Sequence, residues 1–313
     1  MRVVFMGTPQ FAVPPLEHLL FNGYQVVAVY TQPDRAAGRG RLLAASPVKR
    51  VAIDWGLPVV QPASFKKTEV VAELASFKPD VIVVAAFGQI LSQSVLDIPV
   101  YGCFNLHPSL LPRFRGASPV AAAILAGDQF TGVSVMQMEA GLDSGPVLVQ
   151  ARVPVFSQDT TGSLTAKLSL IAAHLLLETL PRWLKGELTP RPQEEAEATY
   201  CPTISNKESK IDWHLPAVAI WRQVRAWQPW PGCYTEWRGK RLKIIESLPL
   251  PGESAPEAGR VVALNKEGAV FGIGSGEGIL GVLKVQLEGK RVMTAAEFLR
   301  GQPQFIGAVL PSG

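Results

Sequence analysis

Two side chains that handle protons and charge stand two residues apart in the segment Cys103-Phe104-Asn105-Leu106-His107, and a third, Asp143, lies between Gly141 and Gly145 further along the chain. An amide donates hydrogen bonds to charge developing on an oxygen without titrating itself. An imidazole exchanges protons near neutral pH, and a carboxylate can orient or charge that imidazole. A single histidine near a strand end is more often a satisfied polar residue than a catalyst. Here the Asn-x-His spacing, the loop bounded by Pro108 and Pro112 that follows it, and the glycine-flanked aspartate argue together for chemistry.

The spacing requires an extended backbone at Cys103–His107. Residues two apart in a strand share a face, so Asn105 and His107 open on one side while Phe104 and Leu106 enter the core. The apolar run at 81–86 before this segment reads as a buried parallel strand, and 118–125 after it as a helix start. Neither proline can serve a central ladder. Ser109, Leu110, Leu111 and Pro112 therefore form a stiff loop at the strand end, where open α/β sheets bind ligands. Asp143 sits on a loop between the strand-like stretches 132–138 and 146–150, from which a carboxylate could reach the histidine.

The elements around this centre predict a doubly wound, mostly parallel α/β sheet of Rossmann-like kind. Residues 2–6 read as a buried strand that Gly7-Thr8-Pro9 turns into a helix over 11–20, with Pro14 and Pro15 breaking or delaying its first turn. A dinucleotide site fits poorly, since no G-x-G-x-x-G follows that strand and Gly38-Arg39-Gly40 comes only after the second, at 25–31. Leu164, Leu168, Ile171 and Leu175 at helical spacing predict a long helix over 161–183, ended by Gly186; His174 within it has no evident partner. The stretch 189–204, with Pro190, Pro192, Pro202 and Glu194, Glu195 and Glu197, is too polar and proline-rich to pack and reads as a linker. Domains at 1–188 and 205–313 follow. In the second, a helix over 217–226 and short glycine-punctuated strands imply a smaller β-barrel.

At 313 residues the chain has room for two domains, and with 47% hydrophobic and 18% charged residues it is globular in balance rather than disordered. The longest apolar run falls short of the ~20 residues that cross a bilayer, and Met1-Arg2 leads straight into a strand. A cytoplasmic protein without a membrane partner is expected. Cys103, Cys201 and Cys233 are scattered and form no C-x-x-C, which supports neither a disulfide framework nor a metal site. They read as small buried hydrophobes. The net charge of +4 lies entirely beyond residue 205, because the earlier part carries equal numbers of acidic and basic residues. The loop at 31–50 is long for a strand-to-helix connection and sets Arg35, Arg39, Arg41, Lys49 and Arg50 against Asp34 alone. Composition by itself fits a solvated loop.

Asn105, His107 and Asp143, with the intervening SLLPRFRG, resemble the signature of the formyltransferase family that uses 10-formyltetrahydrofolate. MGTPQFAVPPLEHLL at 6–20, TQPDRAAGRGRLLAASPVK at 31–49, MEAGLDSGPV at 138–147 and RAWQPWPG at 225–232 extend the match over nearly the whole chain. In order and spacing they resemble the branch of the family that formylates initiator methionyl-tRNA. The resemblance implies a C-terminal OB-like β-barrel domain that binds tRNA, 10-formyltetrahydrofolate as co-substrate, no metal and no obligate protein partner. It implies that Asn105 and His107 donate to the formyl oxygen and that Asp143 orients the imidazole or draws the proton from the amine; whether His107 or Asp143 is the proton acceptor stays open. It further implies that Ser109, Leu110, Leu111 and Pro112 form the folate-binding loop, and that Phe87, Gly88 and Ile90 wall the pterin pocket. Arg39 and Arg41, with Arg35 and Lys49, are implied as acceptor-arm contacts; on the charged face that such barrels often present to nucleic acid, Arg222, Arg225, Lys240, Arg241 and Lys243 are candidate tRNA contacts. Pro108 departs from the pattern: many tRNA formyltransferases have glycine there, and glycinamide ribonucleotide formyltransferases proline. Those enzymes, however, are single-domain proteins without the basic loop or the C-terminal part.

Overall fold

A computed structural model describes residues 1–37, 42–266 and 268–313. Its chain divides into two compact units, the first comprising 1–119, 130–154 and 164–201, the second 120–129, 155–163 and 202–313. In chain order the first unit begins with β1 (Arg2–Gly7), α1 (Val13–Phe21), β2 (Gln25–Tyr30), the hairpin of β3 (Arg35–Ala37) and β4 (Leu42–Ala44), α2 (Pro47–Asp54) and β5 (Val59–Val60). It continues through α3 (Thr68–Ser76), β6 (Val81–Ala85), α4 (Gln93–Leu96), β7 (Cys103–His107) and β8 (Arg115–Gly116). After α5 (Pro119–Ala126), which falls almost wholly in the second unit, come β9 (Phe130–Gln137), β10 (Val147–Pro154), α6 (Thr161–Leu184) and β11 (Tyr200–Cys201).

Among the described residues the main sheet has seven strands in the order β10-β9-β7-β6-β1-β2-β5. The five strands from β7 to β5 run parallel, and β9 and β10 are antiparallel additions at the β7 edge. The parallel strands are nearly continuous in apolar residues because both sheet faces are covered; every residue of β6 is buried. On one face Val4, Met6, Tyr30, Ile82, Val84 and Leu74 form a single core with Phe65 and Phe87. The expected order of strands and helices is therefore present, with a mostly parallel sheet.

Two local readings change. Pro14 and Pro15 do not break α1 but open it, occupying the first turn where a missing N–H costs nothing. By length and composition α6 is long and apolar enough to cross a membrane, contrary to the expectation from apolar runs. Half of that stretch is buried within the protein, with Leu164, Leu168, Ala172 and Leu176 wholly inside and the Ser169 hydroxyl donating to the Phe11 carbonyl at 2.7 Å. It is the core helix of the unit. His174 on it meets His18 edge to face at 5.2 Å, a partner that sequence spacing did not reveal.

The second unit contains α7 (Ala217–Ala226) and β12 (Cys233–Trp237), β13 (Lys240–Leu250), β14 (Val261–Lys266), β15 (Ala269–Gly274), β16 (Ile279–Leu287), β17 (Met293–Thr294) and α8 (Ala295–Gly301). Its antiparallel sheet follows the path β12-β13-β16-β15-β14, with β17 beside β16. A capping box between Thr294 and Glu297 fixes the start of α8. That helix brings Phe298 into an aromatic cluster in which the rings of Trp237, Phe271 and Phe298 each lie 5.1 Å from that of Phe305, edge to face. Phe305 is fully buried. The Phe305→Ala variant is expected to lose about 3–5 kcal/mol of stability in this unit, read as a lower urea midpoint of the full chain.

Candidate active site

Strand β7 does what the two-residue spacing requires. Phe104 and Leu106 are fully buried on its core face, while Asn105 and His107 share the other face and converge on Asp143. The Asn105 amide donates to Asp143 Oδ1 at 3.1 Å, and the Gly116 backbone N–H donates to Asp143 Oδ2 at 2.9 Å. His107 Nδ1 stands 3.6 Å from that same Oδ2, too far for a hydrogen bond. Its other nitrogen, Nε2, lies 2.9 Å from the Phe114 carbonyl oxygen. A carbonyl only accepts, so Nε2 carries the proton in either state of the ring. The other ring nitrogen, Nδ1, faces the carboxylate.

The Asp143 loop is held in an unfavourable backbone state. Asp143 has φ +51 and Phe114 φ +58, the left-handed region that costs a non-glycine residue about 1–3 kcal/mol unless surrounding contacts fix it. Those contacts come from the stretch expected as a linker: residues 191–201 are mostly exposed, as their polarity implies, but are tied down by hydrogen bonds. Strand β11 pairs in parallel with β8, and Arg191 exchanges backbone hydrogen bonds with Val147. The Gln193 amide donates to the Asp143 carbonyl at 2.8 Å and to the Gly145 carbonyl at 2.6 Å. Arg115, 1% exposed, donates to Gln193 Oε1 at 3.0 Å, to Glu195 Oε2 at 2.8 Å and to the Tyr200 hydroxyl at 3.1 Å. The hydrogen bonds from Arg115 and Tyr200 hold the Glu195 carboxyl below the usual carboxylate range. Cys201 is buried, its thiol pushed up by that burial, and it donates to the Phe114 and Arg115 carbonyls, so His107 and Cys201 share one acceptor. The segment is held by hydrogen bonds and one buried guanidinium rather than by apolar area, which its composition does not reveal.

The other site residues fall out unevenly. Ser109 is fully buried, its hydroxyl donating to Arg113 O at 2.6 Å, and Leu111 lies in an apolar cluster with Met136 and Val147. Leu110 packs toward Gly132. Gln150 and Ser134 brace the loop from behind, through the Gln150 amide on Leu111 O and the Ser134 hydroxyl on Ser109 O. Ser109 and Leu111 thus shape the loop from inside, and of the four Pro112 and Leu110 are the less buried. The Phe87 ring is buried against Phe65, and its carbonyl accepts from Thr8 and Gln32. Beyond it Gly88 has φ +80 and Ile90 is 93% exposed, and the buried Gln89 Oε1 has no hydrogen-bond partner. A separate cavity of about 590 Å³, lined by Asp97, Tyr101, Gln137 and Trp183 among others, touches none of the site residues.

Of the basic residues, Arg39 and Arg41 lie outside the described residues. Arg35 is exposed and reaches Gln32 Oε1 at 3.2 Å. Lys49 is bound to Asp34 at 2.6 Å, and the hydrogen bonds from Lys49 and Gln61 lower the Asp34 pKa. Arg222 is half-buried with its guanidinium against Gly127. Arg225 is corrected as a surface contact: it is buried, stacks over Trp221 at 3.8 Å, and donates to the Phe156 and Asp159 carbonyls. Burial and the neighbouring Arg222 push its pKa down to about 10. Among the described residues no cluster of histidine, cysteine or carboxylate side chains has the makings of a metal site.

Residues 1–180 match the formyl transferase family and residues 203–303 its C-terminal domain. A mostly parallel sheet carrying Asn105, His107 and Asp143, followed by an antiparallel β unit, belongs to that family of enzymes. Solved structures share the fold: the N-formyltransferase of Helicobacter canadensis, in complex with folinic acid and dTDP-3-aminofucose, is 21% identical over 89% of this chain and 97% of its own, with a TM-score of 0.65. HypX of Aquifex aeolicus, in complex with tetrahydrofolic acid, is 19% identical with a TM-score of 0.63, and the chain spans about half of its length. Two full-length relatives are nearer. The methionyl-tRNA formyltransferase of Dehalococcoides mccartyi strain 195 is 51% identical over 99% of this chain and 98% of its own. That of Bacillus pumilus is 45% identical over 99% and 97%. Within the formyl transferases the chain is a member of the methionyl-tRNA formyltransferase group.

Proposed function

We infer that this chain transfers the formyl group of 10-formyltetrahydrofolate to the free amino group of methionine on initiator methionyl-tRNA. The observation that carries this reading is the convergence of Asn105, His107 and Asp143 in a chain similar from end to end to methionyl-tRNA formyltransferases. The co-substrate supplies an activated formyl group on nitrogen. Asn105 has one amide hydrogen held by Asp143 Oδ1 and a second free for the negative charge that develops on the formyl oxygen. The attacking amine must shed a proton as its new C–N bond forms. His107 Nδ1 takes that proton, because Nε2 is already protonated against Phe114. The imidazolium then faces Asp143 Oδ2, and the 3.6 Å gap closes into a charge-assisted hydrogen bond. Nδ1 returns the same proton to the departing nitrogen as the old C–N bond breaks, so the cycle consumes and releases none. Asp143 thus acts as the charge partner of the imidazole, and His107 as the proton acceptor.

Supplied with 10-formyltetrahydrofolate, the protein is expected to formylate methionyl-tRNA and to leave glycinamide ribonucleotide unmodified. Formate release without any acceptor would indicate a hydrolase instead. The loop bearing Arg39 and Arg41 supplies phosphate contacts to the acceptor arm. The Arg39→Ala/Arg41→Ala variant is expected to raise KM for methionyl-tRNA and to flatten its salt dependence, with the formyl donor's KM unchanged. Unaltered tRNA kinetics in that variant would remove the loop from the tRNA site.

A further inference from the structure

Among the described residues Gln193 is the side chain that holds both sides of the Asp143 turn, and it comes from a segment remote in sequence from all three reacting groups. Its amide nitrogen donates to the carbonyls of Asp143 and Gly145, and its amide oxygen accepts from the buried Arg115, whose neighbour Gly116 donates to the Asp143 carboxylate. Only a group with a donor end and an acceptor end can join a carbonyl pair to a guanidinium in this way. Asp143 itself is in the left-handed region, a state that persists only where its surroundings over-determine it. The carboxylate must face both Asn105 and His107 Nδ1, and a displacement of about 1 Å can cost 10²-fold in rate.

We propose that Gln193 is a positioning residue for formyl transfer: it fixes the Asp143 turn from outside and ties it, through Arg115, to the strand that carries the Gly116 donor. The inference rests on the reading of Asp143 as the charge partner of His107. It assigns to residues 191–201 a role in aiming the site rather than in joining two domains. Glu195 and Tyr200, both on Arg115, complete the far end of the clamp.

The Gln193→Glu variant tests it with almost no change in size. The carboxylate still accepts from Arg115 but can no longer donate, and it sets negative oxygen against two carbonyl oxygens. Expected is a fall in kcat of about 10–10²-fold, with KM for the formyl donor and for methionyl-tRNA unchanged. In an Asp143→Ala background the same substitution should add little further loss, since a residue that acts only through Asp143 has nothing left to aim. Gln193→Leu, which removes donor and acceptor while keeping volume, should repeat the result if the charge in Gln193→Glu disturbs folding. A folded Gln193→Leu protein with near-normal kcat while Asp143→Ala is inactive would overturn the assignment of Gln193 and leave the reading of the site standing. Losses that multiply in the double variant would overturn it likewise. An active Asp143→Ala protein would overturn the reading of the site itself.

Discussion

The His107→Ala variant is expected to lose about 10²–10⁴-fold in kcat, with methionyl-tRNA binding unchanged. Proton transfer by a positioned side chain contributes on that order, and the proposed mechanism assigns that transfer to the imidazole. Asn105→Ala is expected to lose about 10²–10³-fold, the typical cost of one donor to a developing oxygen charge. The geometry adds a sharper expectation for His107. Its Nε2 is committed to the Phe114 carbonyl, so a side chain that supplies only the Nε2 donor, as in His107→Gln, restores the contact to Phe114 without restoring a base. That variant should fold like the parent and remain as inactive as His107→Ala. Recovery of turnover in His107→Gln would mean that the imidazole serves only as a donor. The measurement is steady-state formylation of methionyl-tRNA beside direct tRNA binding.

The second large effect is expected at Gly116. Its φ of +114 lies in the region that only glycine adopts without strain, and a Cβ there would stand 2.4 Å from the Cys201 carbonyl oxygen. The Gly116→Ala variant must separate β8 from β11, adding backbone strain of about 1–3 kcal/mol to an overpacking cost of similar size. The same movement withdraws the Gly116 N–H from Asp143 Oδ2. Stability and turnover are expected to fall together, and turnover should stay low at temperatures where the variant is still folded. A Gly116→Ala protein that melts and turns over like the parent would contradict the described pairing of β8 with β11. Calorimetry and a rate measured well below the melting temperature separate the two effects.

Much of this was legible in the residues. The period of two at Cys103–His107 placed Asn105 and His107 on one face, because side-chain alternation in a strand is a backbone property independent of context. Continuous apolar strands announced the covered sheet for the same reason. What composition could not show were contacts made by main-chain atoms or by polar groups distant in sequence. The Phe114 carbonyl that sets the tautomer of His107 depends on a left-handed φ, which carries no signal at a phenylalanine. Gln193 lies among prolines and glutamates, where low hydrophobicity suggests a tether; the segment is held instead by the charge-assisted bonds of Arg115, a residue that charge alone would place in solvent. Arg225 misled in the same way. Its cation is buried over Trp221 and bonded to two carbonyls, so a basic residue beside an aromatic motif was part of a core and not of a binding face.

The most direct measurement of the central claim, that the imidazole of His107, charge-paired with Asp143, moves a single proton, is single-turnover formyl transfer to methionyl-tRNA by His107→Ala, Asp143→Ala and the double variant. The account predicts that each single variant loses at least ~10²-fold, and that the double variant is no more than a few-fold slower than the worse of the two. Losses that multiply in the double variant, or a single variant that transfers at nearly the parental rate, would contradict it.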